Sequence, residues 1–164
     1  MKKTAYLGMF LALALICSYV ESLIPFDFGI PGIKLGLANI VVILMLYTVG
    51  MKSALLVSIS RILLAGLLFG NLFSILYSLS GGLLSFFCMT MLKRTGRLRI
   101  ISVSAVGGIT HNLGQLCMAA LVVENVRLFY YFPALLLAGV VTGVLIGAAA
   151  QEVLLRLPQN GSER

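Results

Sequence analysis

Acidic side chains are nearly absent from this chain. Its 164 residues include only five Asp plus Glu, namely Glu21, Asp27, Glu124, Glu152 and Glu163. Paired carboxylates for acid–base chemistry, or a carboxylate cluster for magnesium, are therefore hardly available. Histidine occurs once, as His111, and cysteine three times, as Cys17, Cys88 and Cys117. The cysteines lie far apart inside apolar runs with no C-x-x-C spacing. They are expected to be small packing residues rather than redox or metal groups. One histidine with no second His and no well-placed thiol or acid does not make a metal site, and no cofactor is expected. No glycine-rich loop ending in Lys-Ser/Thr is present to cradle a nucleotide, so the chain is not expected to hydrolyse ATP. Charge of either sign is scarce, at 10% of residues, where a soluble domain carries about 25%. So few charges cannot coat a water-facing surface, and lipid must surround most of the chain.

Apolar sequence is what the chain has in abundance: 60% of residues are hydrophobic and the mean hydropathy is +1.09. A bilayer core about 30 Å thick needs roughly 20 residues per helical span, so six spans use about 120 residues and leave about 44 for loops and ends. The apolar runs predict spans at about 4–24, 34–49, 53–69, 72–92, 100–123 and 133–155. The expected fold is an all-α membrane protein, a six-transmembrane-helix bundle forming one integral membrane domain over residues 1–164. Met1-Lys2-Lys3 resembles the start of a signal peptide. The run that follows is longer than a typical signal core and no A-x-A site follows it, so a retained helix is expected. Two prolines and two glycines between Pro25 and Gly32 break that helix. A single helix from Leu35 to Leu92 would be about 87 Å long, so this stretch must fold as three spans.

The net charge of +7 does not point to nucleic acid, because the basic residues sit at the edges of apolar runs. A cytoplasmic N-terminus puts Lys2, Lys3, Lys52, Lys93, Arg94, Arg97, Arg99, Arg156 and Arg164 inside. Only Lys34 and Arg127 fall outside. The positive-inside rule selects that orientation, with both termini cytoplasmic and the protein in the cytoplasmic membrane. The aromatic run Phe129-Tyr130-Tyr131-Phe132 is expected to anchor the outer interface.

Polar residues inside lipid cost free energy and each needs a reason. Arg61 lies near the middle of the third predicted span, with no carboxylate expected at its depth. Either a ligand-binding or gating role, or hydrogen bonding to backbone carbonyls, accounts for it. The fifth span carries Thr110-His111-Asn112-Leu113-Gly114-Gln115. His111 and Gln115 share a helical face and Asn112 lies beside them. Substrate contact and helix–helix hydrogen bonding are both open to this cluster. Lys34 and Asn39 enter the second span from outside, where Lys34 can also simply snorkel to the interface. Asn71 fits a turn residue. Lys34, Arg61 and His111 together imply an outward-opening cavity of positive potential, suited to an anionic or strongly polar ligand.

Small residues mark close helix contacts. Gly139, Gly143 and Gly147 form a ridge in the last span, and Gly81-Gly82 marks a close approach or kink in the fourth. Thr4, Gly8 and Ala12 recur every four residues in the first helix. They can serve packing within the bundle or contact with another protein.

The stretches Pro31-Gly32-Ile33-Lys34-Leu35-Gly36-Leu37-Ala38-Asn39-Ile40, the Arg61 helix and His111-Asn112-Leu113-Gly114-Gln115 resemble a family labelled Gx transporter or heptaprenyl diphosphate synthase component I-like membrane protein. The resemblance covers about residues 4–156. That family is similar to the substrate-binding S-components of energy-coupling factor transporters. The resemblance implies six helices and a binding pocket on the extracellular side. It also implies a small-residue face on the first helix that docks a transmembrane coupling subunit, with paired ATPase subunits driving transport. The usual docking pattern is alanine every fourth residue; here the matching positions hold Thr4, Gly8 and Ala12.

The synthase label can be weighed on chemistry. Prenyl transfer uses aspartate-rich motifs to hold magnesium against a diphosphate, and this chain has one aspartate, Asp27. Catalysis by this chain is not expected. The expected function is uptake of a small polar or anionic compound, bound by Lys34, Asn39, Arg61, His111, Asn112 and Gln115 and moved by partner ATPases. The alternative is a non-catalytic membrane subunit that assists a prenyl diphosphate synthase or a membrane redox complex.

Overall fold

The computed structural model describes residues 2–23 and 36–157. The described residues form six α-helices: α1 (Lys2–Leu23), α2 (Leu37–Thr48), α3 (Met51–Phe69), α4 (Leu72–Arg94), α5 (Ile100–Val122) and α6 (Phe132–Arg156). A 3-10 turn, Val126–Tyr131, leads into α6, and Pro133 sits in that helix's first turn, where a missing N–H costs nothing. No strand occurs among the described residues. Five helical segments are long and apolar enough to cross a membrane, and the chain is a helical membrane protein. The second helix is the exception. Its 12 residues rise only about 18 Å, short of a bilayer core. The expected span over 34–49 therefore has a short described helix, and its first two residues lie outside the described ones.

Shortness and burial go together in α2. Seven of its residues, Ala38 and Val41 through Leu46, are buried, as expected for a helix that is apolar all round. Neighbouring helices approach it through alanine: Ala14 of α1, Ala54 of α3 and Ala150 of α6 are each 0% exposed and belong to the same apolar cluster. Phe86 and Met89 of α4 and Ile100 and Val103 of α5 complete that cluster. All these residues lie towards one end of the bundle, where α2, α4 and α6 finish and α3 and α5 begin. Lys93 ties this end together. Its Nζ donates to the Leu46 carbonyl near the end of α2 and lies 4.8 Å from the Tyr47 ring centre. The close-packed core thus occupies the end that also carries Lys52, Lys93, Arg94, Arg97, Arg99 and Arg156.

Glycine brings α4, α5 and α6 into backbone contact. A Cβ at Gly108 of α5 would fall 2.2 Å from the Gly139 carbonyl oxygen, and one at Gly143 would fall 2.7 Å from Ala105 Cα. One at Gly147 would fall 2.8 Å from Ile101 Cα, so the ridge on α6 is used inside the bundle, against α5. On the other side of α5, a Cβ at Gly114 would lie 2.9 Å from Gly81 Cα of α4. Ser80 and Ser85 of α4 donate to the Gly114 and Gly107 carbonyls at 2.7 and 2.8 Å. Such close backbones gain dispersion contacts and satisfy hydroxyls where no water is present. Gly81 thus marks the close approach expected from its sequence.

Candidate functional site

The opposite end of the bundle is built differently. A cavity of about 290 Å³ opens among α1 to α5, extending from the level of Arg61 to the turn between α3 and α4. Its lining is part hydroxyl and amide, part apolar. Arg61, Asn39, His111 and Gln115 all line it, so four of the six residues expected to bind a ligand do converge. Lys34 lies outside the described residues.

Arg61 reaches the cavity from the middle of α3 and is 9% exposed. Its Nη1 donates to Ser18 Oγ of α1 at 3.3 Å, and its Nε has no partner. Gln115 of α5 is 5% exposed, and its Oε1 has no donor within reach. Buried polar atoms are nearly always satisfied in a finished protein structure. A donor, Arg61 Nε, and an acceptor, Gln115 Oε1, are thus left over at one cavity. His111 lies one turn before Gln115 and lines the same wall.

Asn112 goes elsewhere. Its Nδ2 donates to the Leu135 carbonyl of α6 at 2.8 Å, and the residue is 7% exposed. Of the two roles open to the His111-Asn112-Gln115 cluster, Asn112 has the helix–helix one, because it points away from the face that His111 and Gln115 share. It borders a second void of about 20 Å³ together with Asn39, Ser104, His111 and Thr142. That is room for about one water molecule. Asn71 likewise has a local role, capping α4 by accepting from the Ser74 N–H at 2.8 Å.

The residue missed from sequence is Glu21. The predicted first span, 4–24, ends just beyond it, yet no carboxylate was expected at the depth of Arg61. Glu21 lies in the last turn of α1 and lines the same cavity as Arg61. One of its carboxylate oxygens accepts from the Gly36 N–H. Gly36 sits at φ 69°, the left-handed region, and precedes the first residue of α2. A carboxylate at a helix start is favoured by the exposed N–H groups there. Glu21 and Arg61 share this lining, yet no ion pair joins them. Among the described residues the ion pair is Arg156–Glu152, at 3.8 Å on the surface of α6. Ser18 and Ser22 of α1 and Ser74 and Ser78 of α4 also line the cavity. Their spacing of four in each helix is a signal the sequence carried: one polar face, one turn apart.

Thr4, Gly8 and Ala12 do not contribute to this site. All three are exposed on α1, and a Cβ at Gly8 would meet nothing within 4 Å. That face of α1 is not used for packing within the bundle.

The fold and cavity thus define a helical membrane protein with a polar, partly unsatisfied chamber in one half and a dry core in the other. The chain belongs to the heptaprenyl diphosphate synthase component I family, whose model matches residues 10–153. No curated protein and no solved structure matches it.

Proposed function

We propose that this protein is a non-catalytic substrate-binding membrane subunit that captures a small polar compound for uptake, in the manner of an S-component. The observation that carries the reading is the cavity lined by both a buried, incompletely bonded Arg61 and an unpartnered Gln115 Oε1. A charge inside a bilayer is costly and is a functional-site hypothesis by default. The scale of the chamber fits a small molecule. An apolar cavity of about 150 Å³ takes one benzene ring, so about 290 Å³ takes a ligand of about a dozen non-hydrogen atoms. The family's name points to a second reading, assistance to a prenyl diphosphate synthase. The chamber has room for a polar headgroup but not for a long prenyl chain, which weighs against that chain being its cargo.

The positive-inside rule supports an orientation with the lysine- and arginine-rich core end in the cytoplasm and the cavity facing outward. The exposed small-residue face at Thr4, Gly8 and Ala12 then lies in the cytoplasmic half of the first helix. There it can dock a transmembrane coupling subunit with its ATPases. Native mass spectrometry of the purified protein is the direct test. A retained small molecule, lost in Arg61→Ala while the helical signal persists, is the expected result. Recovery of a soluble prenyl synthase partner, with no small molecule retained, would establish the second reading instead.

A further inference from the structure

We propose that the ligand of this cavity is a small zwitterion, its anionic group held by Arg61 and its cationic group by Glu21 and Gln115. The proposal rests on the binding-subunit reading and narrows its substrate class.

Arg61 alone would give the chamber a positive potential and favour an anion. Glu21 on the same lining cancels that formal charge, with the imidazole of His111 taken as neutral. An anion entering to meet the guanidinium would also meet the nearby carboxylate, and in a low-dielectric surrounding that repulsion is poorly screened. A molecule with both signs removes the conflict. Its anionic end faces the guanidinium and its ammonium faces the carboxylate, and the site with its ligand stays neutral.

The second strand is hydrogen-bond chemistry. Arg61, 9% exposed, offers an unused Nε–H donor. Gln115, 5% exposed, offers an unused Oε1, which can only accept. One oxygen of Glu21 is taken by the Gly36 N–H, and a carboxylate keeps further acceptor capacity on its other oxygen. The chamber therefore asks for an acceptor-rich anion on one side and an N–H-rich cation on the other. Glu21 and Arg61 are not joined as an ion pair, so neither charge is neutralised by the other and each is left to meet a ligand group of opposite sign. Ile62, Ala65 and Phe69 add an apolar wall, with room for a modest apolar portion between or beside the charged ends.

The test uses the full chain in lipid nanodiscs and three matched probe sets. These are the standard free amino acids, their N-acetyl derivatives (anion only) and their methyl esters (cation only). Thermal unfolding is followed by the helical circular dichroism signal, because the chain has no tryptophan. At least one free amino acid is expected to raise the melting temperature, with no response to its N-acetyl or ester counterpart. Glu21→Gln keeps an oxygen for the Gly36 N–H but removes the charge. It should melt like the parent without probe and weaken the response to the free amino acid roughly ten- to a hundredfold, the usual cost of a lost charge-assisted bond. Equal stabilisation by the N-acetyl probe, no stabilisation by any probe, or an unchanged response in Glu21→Gln overturns the proposal. N-acetyl binding that disappears in Arg61→Gln would remove the zwitterion and leave the binding-subunit reading standing. That reading fails separately, if the purified protein retains no small molecule and a synthase is recovered with it.

Discussion

Replacing Arg61 by methionine should make the ligand-free protein more stable and unable to bind. A central arginine costs about 2.5–3.5 kcal/mol on insertion scales. Against this stands one protein contact, the bond from Nη1 to Ser18 Oγ at 3.3 Å. Charge-assisted bonds of this kind are usually about 2.7–2.9 Å long, so this one is worth about 1 kcal/mol, below the usual range for bonds to charged groups. Methionine fills a similar unbranched volume without a charge. The net gain is about 1.5–2.5 kcal/mol, and for a chain of this size each kcal/mol moves the melting temperature by about 2–4 °C. A rise of about 3–10 °C in lipid nanodiscs without ligand is therefore expected, together with loss of the retained small molecule. Residues kept for function commonly carry such a stability cost. If Arg61→Met instead melts several degrees lower, the guanidinium is holding the bundle together and the reasoning from its missing partners is wrong.

Other substitutions separate packing from binding. Gly143→Leu should abolish the folded monomer, because even a Cβ there lies 2.7 Å from the α5 backbone. Gly8→Leu, with nothing within 4 Å, should melt like the parent and lose only contact with a partner helix; size-exclusion profiles and circular dichroism distinguish the two. Glu124 holds φ 52° just after α5, a left-handed conformation that costs a non-glycine residue about 1–2 kcal/mol. Glu124→Gly should therefore raise the melting temperature by a few degrees, and a fall would show that the Glu124 side chain contributes more than its backbone costs. Asn112→Leu removes the bond to the Leu135 carbonyl and should cost about 1–3 kcal/mol while ligand retention persists. Gln115→Leu should do the reverse, keeping the melting temperature and losing retention.

The fold class was legible because composition alone forced it: with 10% charged residues no soluble surface can be made. Helix boundaries followed from Gly50, Gly70-Asn71 and the basic loop before Ile100. The convergence of Arg61, Asn39, His111 and Gln115 was legible for a related reason, since polar residues in lipid have few places to go other than a shared interior. Glu21 was not legible as a site residue because it falls near the end of the first predicted span, close to Pro25, where a carboxylate reads as an interfacial charge. Its spacing from Ala14 and Ser18 carries the inward face of α1 as far as Glu21. Asn112 was grouped with His111 by adjacency in sequence, yet neighbours on a helix point about 100° apart. That rotation turns its amide to α6 and leaves the cavity to the residues four apart.

The division of the bundle into a dry end and a polar end follows from where small and polar residues fall on the same helices. In α2 Asn39 borders the cavity, while Val41 to Leu46 sit in the core. In α5 Val103 packs in the core and His111 and Gln115 line the chamber. The same helices that lock the core through glycine and alanine contacts therefore carry the groups that line the cavity. A close-packed core resists small displacements, so groups mounted on it are held at fixed separations. That matters most for Arg61 and Glu21. If the helices carrying them were loosely packed, opposite charges in a poorly polar surrounding would draw together into an ion pair. Arg61 and Glu21 are carried on α3 and α1, which both pack on α2 through Ala54 and Ala14, and that fixed mounting is consistent with two charges that line one chamber without joining as an ion pair.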